Sequence, residues 1–106
     1  MSSPVKVVNW STQIRGHDTA LTLSVSSSRS IAIVGVNQAQ GIGSVFDASS
    51  EGVECLVGTH HDGLEEALAR ALTQLLSVKR VILTVALREY SPLMVKELLA
   101  EIRKFQ

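Results

Sequence analysis

His60, His61 and Asp62 form the one run in the chain where adjacent imidazoles and a carboxylate could bind a metal ion or move protons. Adjacent residues point in different directions, however, and the one other histidine, His17, is far upstream. Asp62 is also placed to cap a helix, so the triplet reads as a helix lead-in. Cys55, the single cysteine, lies within an apolar strand pattern, where a small buried thiol is the ordinary outcome and a nucleophile the rarer one. Ser24 and Ser26, Ser27 and Ser28 sit at a strand end and turn, with no Gly-x-Ser-x-Gly elbow around any of them. Gly41-Ile42-Gly43 has Phe46 where a dinucleotide fingerprint needs a third glycine, and it opens a strand instead of a helix. No catalytic residue, metal ligand or cofactor is therefore expected, and the chain reads as a non-enzyme. Trp10 fits either a core anchor or an interface hot spot.

Composition narrows the class further. A chain of 106 residues supports one domain spanning 1–106, with a sheet and a couple of helices. Apolar residues make up 45% and charged residues 19%, too hydrophobic for disorder and too interrupted for membrane insertion. One cysteine excludes an intrachain disulfide and a cysteine-based zinc cage, which suits a reducing compartment. No apolar leader follows Met1 and no glycine stands at position 2, so the cytosol or nucleus is the expected location. Ten basic residues balance ten acidic ones and also balance within each half, leaving no long-range field for nucleic acid. A local patch from Lys79, Arg80, Arg88, Arg103 and Lys104 is offset by Glu89 and Glu101.

The elements follow from periodicity. Short extended runs are predicted at 5–14, 19–25, 31–36, 42–46 and 53–57, separated by turns at 16–18, 26–29, 37–41 and 47–52. These runs read as a β-meander. Run 31–36 is apolar almost throughout, as a strand covered on both faces would be, with Gly35 suggesting a bulge or close backbone approach. A helix is predicted from Asp62 to about Ser77, with a capping-box-like Glu65 and Leu64, Leu68, Leu72, Leu75 and Leu76 in its apolar stripe. Ala67 and Ala71 extend that stripe. A sixth strand at 80–87 carries Val81, Leu83, Val85 and Leu87 on one face and Ile82, Thr84 and Ala86 on the other. Ser91-Pro92 then reads as N-cap plus first-turn proline of a second helix, buried through Met94, Val95, Leu98, Ile102 and Phe105.

The resulting βββββαβα order predicts an α+β fold, a six-stranded mainly antiparallel sheet with two helices on one face. Helices of about four turns can cover only that face. An open apolar patch of more than roughly several hundred Å2 is unusual on a monomer. The other face is therefore expected to hold a dimer, stacked as a sandwich about 10 Å thick. Ile31, Ile33, Val81, Leu83 and Val85 are the expected interface residues.

The apolar run 31–36, the loop Asn37-Gln38-Ala39-Gln40-Gly41 and the strand Ile42-Gly43-Ser44-Val45 together resemble the middle of the proteasome assembly chaperone 3 family. Leu56-Val57-Gly58, Leu64-Glu65-Glu66-Ala67-Leu68-Ala69, Val81-Ile82-Leu83-Thr84-Val85-Ala86-Leu87 and a terminal amphipathic helix follow the same order. The likeness covers nearly the whole chain as patterned apolar segments, although Val7-Val8-Asn9-Trp10 departs from it, and the fourth assembly chaperone has a similar layout. It implies a non-enzymatic factor that dimerises with itself or a related chaperone and holds α-subunits of the 20S proteasome while the α-ring forms. Asn37, Gln38, Ala39, Gln40 and Gly41 would, by that resemblance, contact the α-subunit.

Two other readings compete. One is a small longin or roadblock-like scaffold that regulates a GTPase or a trafficking complex, although the five strands before the first helix argue against roadblock. The other is a small enzyme or ligand-binding domain using His60 and His61 at a dimer seam; stoichiometric zinc lost on their replacement by alanine is its signature.

Overall fold

The computed structural model of the chain describes residues 5–38, 43–58 and 63–105. Its strands are β1 (Val5–Ile14), β2 (His17–Ser26), β3 (Ile31–Asn37), β4 (Ser44–Ser49), β5 (Gly52–Val57) and β6 (Arg80–Ala86); its helices are α1 (Leu64–Leu76) and α2 (Pro92–Arg103). The fold is α+β, with six strands in one mostly antiparallel sheet, in the expected element order. Among the described residues, no helix is long and apolar enough to cross a membrane.

Neighbour order in the sheet is β1-β2-β3-β6-β4-β5, which corrects the expected five-strand meander. β6 inserts between β3 and β4, parallel to the first and antiparallel to the second. The physical reason lies in burial: Val81, Leu83 and Val85 are wholly inaccessible, which demands a strand flanked on both sides and roofed by helices. Gly43, at φ 72°, shows how the chain passes this strand. A Cβ there would collide with the Val85 carbonyl and crowd Ala86, so only glycine lets β4 start so close to β6.

Turns also differ in detail from the sequence reading. β1 and β2 join through Arg15 and Gly16, both at positive φ, the requirement of a tight two-residue hairpin. His17 and Asp18 therefore belong to β2, paired with Ile14 and Gln13. Between β2 and β3 the Ser26 hydroxyl accepts from the backbone N–H groups of Ser30 and Ile31 at 3.2 and 3.3 Å, so the serine cluster does organise a turn. Asp47, Ala48 and Ser49, expected in a turn, extend β4 because they pair with β6 and β5. At Gly35 there is neither a bulge nor a tight approach; register runs through it unbroken, and a Cβ would meet Thr22 at an ordinary 3.6 Å.

One layer of core lies between the sheet and the helices. Leu21 and Leu23, Val34 and Val36, Phe46 and Ala48 join the β6 trio beneath Leu68, Ala69, Leu72 and Leu76 of α1 and Met94, Leu98 and Ile102 of α2. Of the predicted α1 stripe, Leu64 and Leu75 are half-buried and Ala67 is exposed, while Ala69 takes a fully buried place. α1 starts after Gly63, in the left-handed region and without a side-chain cap; Asp62, the expected N-cap, lies outside the described residues. α2 begins as expected, with Ser91 extended and its hydroxyl accepting from Met94 N, and Pro92 in the first turn.

Candidate functional site

Both helices pack on one face of the sheet and leave the other open. Strand register defines that face row by row. Val7, Ser24, Ile33, Ile82, Asp47 and Glu54 lie side by side across all six strands, and Asn9, Thr22, Gly35, Thr84, Val45 and Val57 form the next row. These residues alternate with the buried set, as period-2 side chains must. Ile33 is 48% exposed, Val7 56% and Val57 52%, with Leu56, the extra residue where β5 bulges against β4, at 49%. Between the apolar members stand small or β-branched groups, Gly35, Thr22, Thr84 and Ser24, which keep the surface low.

Two polar contacts on this face close within the chain. Thr22 Oγ1 donates to Asn9 Oδ1 at 2.8 Å. Arg80 grips Asp47 with two bonds, Nε to Oδ1 at 2.8 Å and Nη2 to Oδ2 at 2.6 Å. This bidentate pairing holds the Asp47 carboxyl below its usual range and raises the Arg80 guanidinium. A neutralised ion pair is thus set at one end of a mainly apolar and hydroxyl-bearing surface. The two central rows thus carry mainly apolar and hydroxyl-bearing side chains, with Glu54 exposed at the β5 end.

The expected interface residues divide between the two faces. Ile31 is half-buried and Ile33 exposed on the open side. Val81, Leu83 and Val85, in contrast, are at 0% exposure beneath the helices, so they cannot meet a partner. Their β6 neighbours Ile82 and Thr84 occupy the open face instead. The misplacement has a readable cause: a strand with two apolar phases turns its more apolar phase toward the helices. Val45, Val57 and Val7 were missed for a different reason, since only register joins them to Ile33.

The expected loop site is likewise redefined. Asn37 closes β3 and is exposed, whereas Gln38 is only 6% exposed. Gln38 Nε2 donates to Thr19 Oγ1 at 3.0 Å and lies 3.3 Å from Met94 Sδ, and its Oε1 accepts from Arg88 N at 3.2 Å. Its backbone N–H donates to the Ala86 carbonyl at 2.7 Å, and its carbonyl accepts from Arg88 Nε at 2.7 Å. Gln38 is therefore a buried tie between β3, β6 and α2 and not a surface contact. Ala39, Gln40 and Gly41 lie outside the described residues, as do His60, His61 and Asp62.

Other candidate residues have structural partners. Trp10 is half-buried on β1, its ring 4.2 Å from that of Phe105 and its Nε1 donating to Glu101 Oε2 at 3.1 Å. It anchors the edge strand to α2 on the helix side. Cys55 is half-buried against the core, its thiol 3.4 Å from the Val57 carbonyl. At the β1–β2 turn, Glu89 accepts from Ser91 Oγ at 2.7 Å and pairs with Arg15, while His17 Nε2 stands 3.4 Å from its other oxygen. The Ser91 hydrogen bond, followed by the Arg15 contact, pulls the Glu89 carboxyl below its usual range. Among the described residues, no three His, Cys, Asp or Glu side chains are grouped to hold a metal ion.

No protein-family model matches the chain, and no curated protein matches it.

Proposed function

We propose that this chain is a non-enzymatic chaperone that works as a dimer, with itself or with a related chaperone, and holds α-subunits of the 20S proteasome during α-ring assembly. The observation that carries the reading is the open face of the sheet. Ile33, Val7 and Val57 are each about half exposed there, on a low surface whose most prominent charge pair, Asp47 with Arg80, is already closed. Such a face is stabilised by burial against a second sheet, at roughly 25 cal/mol per Å2 of apolar area removed from water. The identity of the client comes from the resemblance of the apolar segments and the 37–41 loop to the proteasome assembly chaperone 3 family. Gln38 is committed inside, so in this reading client contact falls on the rest of the 37–41 loop.

The test is affinity purification of the tagged chain from its own cells in mild salt, followed by mass spectrometry. Enrichment of 20S α-subunits with a second small chaperone, and without mature β-subunits, is expected. Recovery of a GTPase or trafficking complex in their place would discard the proteasome reading in favour of a longin or roadblock-like scaffold. Replacing Asn37 and Gln40 by alanine is expected to weaken α-subunit recovery while leaving the dimer intact.

A further inference from the structure

Charge is unevenly distributed over the helix layer. On α2, Glu97 reaches Arg15 at 3.2 Å, and Glu101 accepts from Trp10 Nε1 and from Lys104, each at 3.1 Å. The acidic residues of this helix are thus spent toward β1 and on the helix end. Lys96, Leu99, Ala100 and Arg103 recur at i, i+3, i+4 and i+7 and form a stripe on the side that faces α1. Across from it α1 contributes Ala71, Gln74 and Leu75. An open groove of about 500 Å3 runs between the two helices, and among the described residues no acidic side chain lines it. Among the described residues, neither Lys96 nor Arg103 makes an ion pair or side-chain hydrogen bond. Leu75 and Leu99 pack against the core and present apolar walls, while Ala71 and Ala100 leave the groove shallow and accessible.

We propose that this groove docks an acidic amphipathic helix from a partner protein. Apolar side chains of such a helix settle on Leu75 and Leu99, and the two alanines let its backbone approach closely. Carboxylates two turns apart, about 10 Å along the axis, match the spacing of Lys96 and Arg103. Charge complementarity selects this occupant: a basic helix meets two cations with no anion to offset them. The groove lies on the helix side, so its use is independent of whatever covers the open sheet face.

The test uses the full chain, 15N-labelled, and a synthetic fifteen-residue peptide with leucines on one helical face and glutamates two turns apart on its flanks. A matched peptide with lysine in place of each glutamate is the control. Saturable binding of the acidic peptide is expected, by fluorescence anisotropy, with amide shifts centred on Ala71, Leu99 and Ala100. The double variant K96E/R103E should bind about tenfold more weakly, and Ala100→Trp should block the groove without changing charge; circular dichroism checks that both remain folded. Equal affinity for the lysine peptide, amide shifts centred on the open sheet face, or no binding at millimolar peptide would overturn the proposal. So would adsorption to phosphatidylserine vesicles through Lys96 and Arg103 with no peptide binding, which would assign the stripe to a membrane surface.

Discussion

Gln38 shows how far one side chain's environment can depart from its local sequence. It sits in a run of polar residues, yet its amide is enclosed by Thr19, Met94 and the Arg88 backbone. Replacing it by alanine removes the acceptor of the Arg88 N–H and leaves Thr19, itself buried, short of a partner. A loss of about 1–3 kcal/mol is expected, read by urea denaturation; an unchanged midpoint would mean the amide network contributes nothing. Asp47 and Glu89 each contribute to the acid response. Both carboxyls are held below their usual range, by Arg80 for the first and by Ser91 and then Arg15 for the second. Their ionised forms therefore favour the folded state fully above the unfolded pKa of about 4, and that contribution disappears as pH falls through the lower folded values. D47N and E89Q should each flatten the decline in denaturation midpoint below about pH 4. Identical acid limbs for wild type and variants would show that these pairs do not contribute.

At the scale of elements, α2 and β1 depend on each other. The helix starts at Ser91, whose hydroxyl accepts from Met94 N at 3.2 Å while donating to Glu89. Ser91→Ala should cost about 1 kcal/mol, the usual magnitude for an N-cap, as measured by thermal or chemical unfolding. Beyond the other end of the helix, Phe105 meets Trp10, and Glu101 accepts the indole N–H. An edge strand has neighbours on one side only, so this contact, with Ile14 in the core and Arg15 paired to Glu97, helps fasten β1 to the helix layer. Trp10→Ala is expected to destabilise by about 2 kcal/mol, below the range for a fully buried tryptophan because the ring is half-buried. Amide exchange should accelerate in β1 more than in β3. A uniform acceleration across the sheet would show instead that β1 and the core open as one unit.

For the whole molecule, the decisive feature is a sheet with one roofed face and one open face. Ile33 and Leu83 sit on neighbouring strands but on opposite faces, at 48% and 0% exposure. In the dimer reading, Ile33→Asp leaves the circular dichroism spectrum unchanged and yields a monomer in sedimentation velocity. Leu83→Asp, which buries an unpaired carboxylate, abolishes folding. A chain that is monomeric and stable with Ile33 intact would remove the need for a partner on that face. The helix-side groove belongs to a separate surface, and its test does not depend on this outcome.

Much of this organisation was legible in the sequence because it is local. Alternation of apolar residues located all six strands, the leucine spacing located α1, and Ser91-Pro92 marked the start of α2. Two helices and six strands also implied that one sheet face goes without a helix. What local pattern could not encode was adjacency. Register joins residues far apart in the chain, so the parallel pairing of Ile33 with Ile82, the insertion of β6 beside β4 and the row from Val7 to Glu54 arise only when the sheet assembles. The same holds for Gln38 and Trp10, whose partners Met94, Arg88 and Phe105 lie tens of residues away. Periodicity determined which side chains share a face; tertiary packing decided which face the helices cover and what each buried polar group finds there.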